Sequence, residues 1–189
     1  MIYYKTYPFN AACAVSQSEK ELAKQIRDYV LEYTFISETG SSFTDFDIKY
    51  NQYGKPFIIN GLNFSISHTR GFVCCATSLS PVGVDAEYIR PINPNIINKV
   101  CGAEEKRAVL EAENVTTEFF KYWTLKESYI KMIGMGFSYP MSKINFSFDN
   151  NSVSSNAADA FFDIACIEGY AVALCTKNSV CKIDAVKLP

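Results

Sequence analysis

In the segment VGVDAE, residues 82–87, two carboxylates stand two positions apart, Asp85 and Glu87. On a strand, alternate side chains share a face, so both acids point one way beside Gly83, which leaves space. Val82, Val84 and Ala86 form the opposite, apolar face. Unpaired, the two acids repel. A hard cation such as Mg²⁺ removes that cost, because it takes one or two protein carboxylates together with waters and phosphate oxygens. A strand edge turned to water would carry the same spacing, so the pair alone leaves both readings open.

A second constellation lies in KYWTLKESYIKMIGMG, residues 121–136. Glu127 and Lys131 are four residues apart and share a helix face. An ordinary surface pair of this kind is worth about 0.3–0.5 kcal/mol. That accounts for the spacing but not for the setting, beside the only tryptophan and ahead of Gly134 and Gly136. Phe120, Trp123 and Ile130 fall near the same face, so it packs inward, and Glu127 becomes a candidate third acid. Lys126 flanks it. His68, the only histidine, follows a strand and precedes the Arg70-Gly71 turn, where it could donate to an anion. Lys55, in YGKP, is held by a turn rather than by a long loop.

These residues need an α+β scaffold to meet. MIYYKTYPF reads as a strand. Residues 18–35 carry Leu22, Ile26, Tyr29, Val30 and Tyr33 at steps of three and four, which predicts a helix ended near Gly40. Residues 46–58 read as two extended pieces about a Gly-Lys-Pro turn. LNFSIS, FVCCATS and VGVDAE follow as strands joined by short turns, which predicts antiparallel hairpins. RPINPNI suggests a linker, followed by helices over residues 103–113 and 117–135. KINFSFD is a strand, residues 150–159 a polar loop, and FFDIACI, YAVALCT and VCKIDAV three more strands.

The stretches beginning at Gly71 and Gly169 share an order: glycine, aromatic residue, apolar strand, threonine, polar turn, valine, then a strand holding Asp-Ala. This loose repeat predicts a pseudo-dimer of two similar lobes, each a helix packed on a small antiparallel sheet. The expected division is a lobe of residues 1–90, a linker over 91–98 and a lobe of residues 99–189. The first copy ends Asp85-Ala86-Glu87 and the second Asp184-Ala185-Val186. Only one copy keeps both acids, which implies one site per chain.

Composition narrows the partners. With 48% apolar and 20% charged residues the chain of 189 is globular, and its formal charge of −2 provides no positive field for nucleic acid. Any anionic ligand needs a local site. The seven cysteines show no CxxC or Cys/His zinc spacing, and Cys74, Cys75, Cys166 and Cys175 sit in apolar runs. They read as buried, reduced thiols of a reducing compartment. The opening residues lack the order of a signal peptide, and no apolar run spans a bilayer, so the expected location is the cytoplasm, without membrane contact.

In order, YGKPFI, NFSISHT, VGVDAE and FFKYWTLKESYIKMIGMGF resemble the 4′-phosphopantetheinyl transferase superfamily of Sfp type, firmly over residues 53–140. The resemblance implies a pseudo-dimer with the site between its lobes. It implies that Asp85, Glu87 and Glu127 bind Mg²⁺, and that His68 and Lys131 meet the phosphates of coenzyme A. Lys55 and Ser67 would lie close to the nucleotide end. Lys24 aligns with a basic family position, while other anchors of the 3′-phosphate have no clear counterpart in the shorter N-terminal region.

The implied reaction moves 4′-phosphopantetheine from coenzyme A to a serine of an acyl or peptidyl carrier protein. Glu127 or a metal-bound water would take the serine's proton. Two other readings of the same acids are another Mg²⁺-dependent phosphotransfer or phosphohydrolase enzyme, and a non-catalytic binder of carrier protein or coenzyme A.

Overall fold

The computed structural model describes residues 1–149, 152–178 and 182–189, apart from the side chain of Phe137. Strand β1 (Ile2–Thr6) leads to helix α1 (Gln17–Thr39), then to the short strands β2 (Ile48–Tyr50) and β3 (Pro56–Ile58). Strands β4 (Asn63–Thr69), β5 (Phe72–Ser78) and β6 (Val82–Tyr88) follow. Next come helices α2 (Asn95–Val100), α3 (Ala103–Glu111) and α4 (Val115–Ile133). The chain ends with β7 (Phe146–Asp149), β8 (Ser152–Ser155), β9 (Ala160–Ile167), β10 (Tyr170–Lys177) and β11 (Ala185–Lys187). The fold is α+β.

Both long helices have the ends that their sequence dictates. The Ser16 hydroxyl accepts from the N–H of Glu19 at 3.1 Å, and α1 runs a turn beyond the expected residue 35 to stop at Gly40, at φ 75°. The Asn114 side chain accepts from Thr117 N–H at 3.0 Å, and Gly134, at φ 71°, closes α4. Left-handed backbone of this kind costs glycine nothing and other residues about 1–2 kcal/mol.

Alternation along the strands builds the layers. Tyr3, Val73 and Cys75 face Val30, Leu31 and Phe35 of α1. On the other face of the same sheet, Ile2, Tyr4, Phe72, Cys74 and Ala76 meet Val82, Val84, Ala86, Val172 and Leu174. Beyond these, Phe119, Phe120 and Leu125 of α4 pack with Ala171 and Ala173. The order is therefore helix, sheet, sheet, helix. Each fully buried Phe or Leu in these layers contributes about 1.5–3 kcal/mol.

Strand pairing departs from the hairpin expectation in two places. β4 and β5 do form a hairpin, but β6 pairs antiparallel with β10, in a sheet ordered β6-β10-β9. β11 leaves β10 and pairs parallel with β1, in a sheet ordered β11-β1-β5-β4, so that sheet is not wholly antiparallel. The reason is burial. Val82, Gly83, Val84, Asp85 and Ala86 are all buried, so β6 needs cover on both faces and finds it between the sheets and against α4.

Smaller differences have local causes. Helix α2 begins inside the expected linker and runs two residues past its end, and β8 forms where a polar loop was expected, by pairing with β7. Residues 150–151 of that loop and 180–181 of VCKIDAV lie outside the described residues. Cys74, Cys75 and Cys175 are buried as expected, but Cys166 is exposed, because β9 is the outer strand of its sheet.

Candidate active site at the seam between the sheets

The two sheets converge at β4 and β6 without a backbone ladder. Serine side chains join them: Ser65 Oγ accepts from Val84 N–H at 3.0 Å, and Ser67 Oγ accepts from Ala86 N–H at 3.2 Å. The outer amides of β6 are thus satisfied by hydroxyls. The rising register, 65 with 84 and 67 with 86, sets the two strands parallel and brings Ser67 beside Asp85.

Helix α4 supplies the third wall, and Gly83 lets it approach. A Cβ on Gly83 would lie 1.9 Å from Ser128 O and 2.5 Å from Met132 N. This close seat puts Lys131, one turn from Glu127, against the strand. Lys131 Nζ donates to Asp85 Oδ1 at 2.7 Å and to Ser67 Oγ at 2.8 Å, and Ser67 Oγ donates to Asp85 Oδ1 at 2.9 Å. Lys131 therefore pairs with the acid across the seam, and no ion pair joins it to Glu127 among the described residues. The i, i+4 surface bridge that the spacing allowed is not formed.

The acids influence one another. Glu127 is raised from 4.5 to about 7, by burial first and then by the charge of Asp85, with Lys131 opposing and Glu87 adding. Glu87 is also raised, by burial and then by Asp85, against the pull of Arg90 and Thr69. Arg90 Nη1 donates to Glu87 Oε2 at 3.0 Å, and Thr69 Oγ1 donates to the same oxygen at 3.4 Å. Asp85 Oδ2 is buried with no hydrogen-bond partner. An oxygen in that position costs stability unless something takes it up. The three carboxylates are nevertheless not drawn into a ready set of ligands: no group of three metal-binding side chains is gathered among the described residues.

The two lysines of the WTLKESYIK motif have separate duties. Lys126, fully buried, turns away from the seam and pairs with Glu105 at 2.8 Å. It also donates to the carbonyls of Met141 and Ile144. Glu105 in turn accepts from Gly102 N–H at 2.7 Å and Phe146 N–H at 2.8 Å. Adjacent helix residues point about 100° apart, so Lys126 braces α3, α4 and β7 while Glu127 faces the acids.

Two cavities flank β4. One, of about 380 Å³, is lined by His68 and Thr69, by Lys20, Lys24 and Arg27 of α1, and by Arg70. His68 and Lys24 are exposed there. Lys20 and Arg27 were not singled out from the sequence, although steps of four and three with Lys24 place them on one helix face. Arg70 is committed to Glu19 at 2.9 Å.

The other cavity, of about 230 Å³, is mostly apolar and includes Tyr53, Lys55, Ile66, Ile130 and Lys131. Lys55 is turned inward: its Nζ donates to Val82 O at 3.1 Å and Met132 O at 3.0 Å, and burial lowers it to about 8. Asn51, another residue that the sequence did not flag, ties the Lys55 turn to the cap of α4 through Gly134 O at 2.7 Å.

The comparisons with known proteins concern this same region. Residues 81–175 match the 4′-phosphopantetheinyl transferase superfamily. Over 173 residues the chain is 32% identical to the 4′-phosphopantetheinyl transferase gsp of Aneurinibacillus migulanus, covering 86% of this chain and 70% of that protein. It is 33% identical over 105 residues to the 4′-phosphopantetheinyl transferase Sfp of Bacillus subtilis (strain 168), covering 52% of this chain and 47% of the relative. A holo-(acyl-carrier-protein) synthase of Bacillus anthracis, solved in complex with CoA, overlays at a TM-score of 0.47 and 16% identity, over 53% of this chain and 97% of that one. No helix among the described residues is long and apolar enough to cross a membrane. The chain belongs to the 4′-phosphopantetheinyl transferase superfamily.

Proposed function

We infer that the chain transfers 4′-phosphopantetheine from coenzyme A to a serine hydroxyl of an acyl or peptidyl carrier protein, with a divalent cation held among Asp85, Glu87 and Glu127. The observation that carries this reading is the buried, unpartnered Asp85 Oδ2 at the point where β4, β6 and α4 meet. Hard carboxylate oxygens are what Mg²⁺ takes, and Glu87 and Glu127 have raised proton affinities, first through burial and then through the charge of Asp85 beside them. The donor set therefore fits the ion. When bound, Mg²⁺ would neutralise the pyrophosphate oxygens.

The chain's own side chains would do the rest. Lys131 stands in the seam and would offset charge on the departing phosphate, while His68, in the cavity beside α1, would meet the phosphates from that side. The serine Oγ–P bond forms as the P–O bond to adenosine 3′,5′-bisphosphate breaks, and the serine proton passes to Glu127. The cavity with Lys20, Lys24, Arg27 and His68 has the charge to take the 3′-phosphate, in place of the anchors for which the sequence offers no clear counterpart. The reciprocal crossing of β6 and β11 between the sheets supports reading the chain as two like lobes with the site between them.

The test is direct. The protein is incubated with Mg²⁺, coenzyme A and apo carrier proteins of fatty-acid, polyketide and peptide type, and the carriers are weighed by mass spectrometry. At least one should gain phosphopantetheine, and Asp85→Asn should abolish the gain without loss of fold. Unmodified carriers, with inorganic phosphate released from nucleotides, would establish a phosphohydrolase instead.

A further inference from the structure

We propose that Arg90 is a resident counter-charge that competes with a divalent cation for Glu87 and so sets how readily the acid cluster takes up metal. This rests on the reading of Asp85, Glu87 and Glu127 as a cation site. The chain meets the charge of two of these acids with its own cations. Lys131 holds Asp85 from within the seam, with Ser67 as a third member. Arg90 holds Glu87 from the solvent side: its side chain is 49% exposed, that of Glu87 21%. This accounts for the absence of a gathered ligand set among the described residues. A cation entering the cluster draws on the same carboxylate that Arg90 holds through Oε2.

The displaced arginine stays close. Arg90 Nη1 also donates to Tyr88 O at 2.9 Å, and its guanidinium lies 5.1 Å from the centre of the Phe120 ring. Both contacts survive a turn of Glu87 away from it. The arginine therefore remains a nearby positive charge that disfavours the loaded state, as well as a partner that stabilises the empty one. Removing the charge acts on both and in the same direction, toward tighter metal binding.

The experiment measures Mn²⁺ binding directly, as loss of the free-ion resonance in a titration of the full chain without coenzyme A. Arg90→Gln should bind Mn²⁺ about 2- to 5-fold more tightly than the unaltered chain, the range expected for a half-exposed ion pair. Arg90→Lys, which keeps the charge, should match the unaltered chain. Arg107→Gln serves as a control, since it removes an equal charge that is paired with exposed Glu104.

Unchanged or weaker binding by Arg90→Gln overturns the proposal. So does equal tightening in Arg90→Lys or in Arg107→Gln. Carrier modification by the unaltered chain, with Mg²⁺ and with a chelator, is measured alongside. Modification that needs Mg²⁺ while Arg90→Gln binds Mn²⁺ unchanged removes only the role of Arg90. Modification that survives the chelator removes the cation reading itself.

Discussion

Gly83 and the carbonyl of Ser128 are in direct apposition: a methyl group on the glycine would sit 1.9 Å from that oxygen. The obstructing atoms are helix backbone, so they yield only if α4 lifts from β6. Gly83→Ala should therefore cost about 1–3 kcal/mol, the usual penalty of overpacking. It should also shift Lys131 and Glu127 against Asp85, and a displacement of about 1 Å at such a site lowers turnover roughly 100-fold. Urea denaturation and carrier mass spectrometry read the two effects. A variant with unaltered midpoint and full activity would show that the close seat of α4 on β6 does not position the site.

Glu127 should make the metal-free protein less stable as pH rises. Its carboxyl moves from 4.5 in the unfolded chain to about 7 in the fold, through burial and the charge of Asp85. A proton held more tightly by the native state contributes stability that is fully present below pH 4.5 and is lost as pH climbs through 7. Glu127→Gln abolishes that loss. With allowance for its partial contact with solvent, the variant should gain about 1–2 kcal/mol relative to the unaltered chain between pH 4.5 and pH 8. Denaturation midpoints in chelator at both pH values measure it, and parallel curves would contradict it.

Local order was legible and partner choice was not. FVCCATS, between the Gly71 turn and Ser80-Pro81, became β5 with the expected ends, because a short apolar run bounded by turn residues has few alternatives. Helix α4, expected over residues 117–135, runs over Val115–Ile133, with its ends set by Asn114 and Gly134. The partner of β6 could not be read locally, since a strand buried on both faces fits several neighbours, and the hairpin rule weighs only loop length. In the site, the spacing of Asp85, Glu87, Glu127 and Lys131 was informative because each period maps to one face. The direction of Lys126 was hidden, because its partner Glu105 lies on another helix. Asn51 and Arg90 carry no motif at all; what they do depends on Gly134 and Glu87, which are their neighbours only in the fold.

The Lys126–Glu105 pair should behave as a closed unit. Both side chains are almost wholly buried and nearly every donor and acceptor is used. Lys126→Met leaves the Glu105 carboxylate charged and without its cation, at a cost of about 3–5 kcal/mol. Adding Glu105→Gln removes the stranded charge while an amide oxygen still accepts from one of the two backbone N–H groups. The double variant should recover at least about 1 kcal/mol of that loss. A double-mutant cycle by chemical denaturation measures the coupling, and strictly additive losses would mean that the two residues act independently.

The basic face of α1 offers the last test, one that separates binding from chemistry. Lys24 and Arg27 line the cavity with His68 at the end of β4, whereas Phe64, Ser65 and Ile66 earlier in that strand line the mostly apolar cavity with Lys55. If that cavity takes the 3′-phosphate of coenzyme A, Lys24→Ala and Arg27→Ala should each raise KM for coenzyme A about 3- to 10-fold, as expected for one charge-assisted contact. The turnover number should hold within about twofold, because the contact is made equally in the ground and transition states. A substrate that lacks the 3′-phosphate should make the unaltered chain and both variants nearly alike, since the charge that they bind is gone. Higher salt should raise KM more for the unaltered chain than for the variants, because exposed Lys24 and partly exposed Arg27, which also pairs with Asp28 at 2.7 Å, are screened. Variants that lose turnover with unchanged KM, or that discriminate equally against the truncated substrate, would place the 3′-phosphate elsewhere and leave the α1 face without a role in binding it.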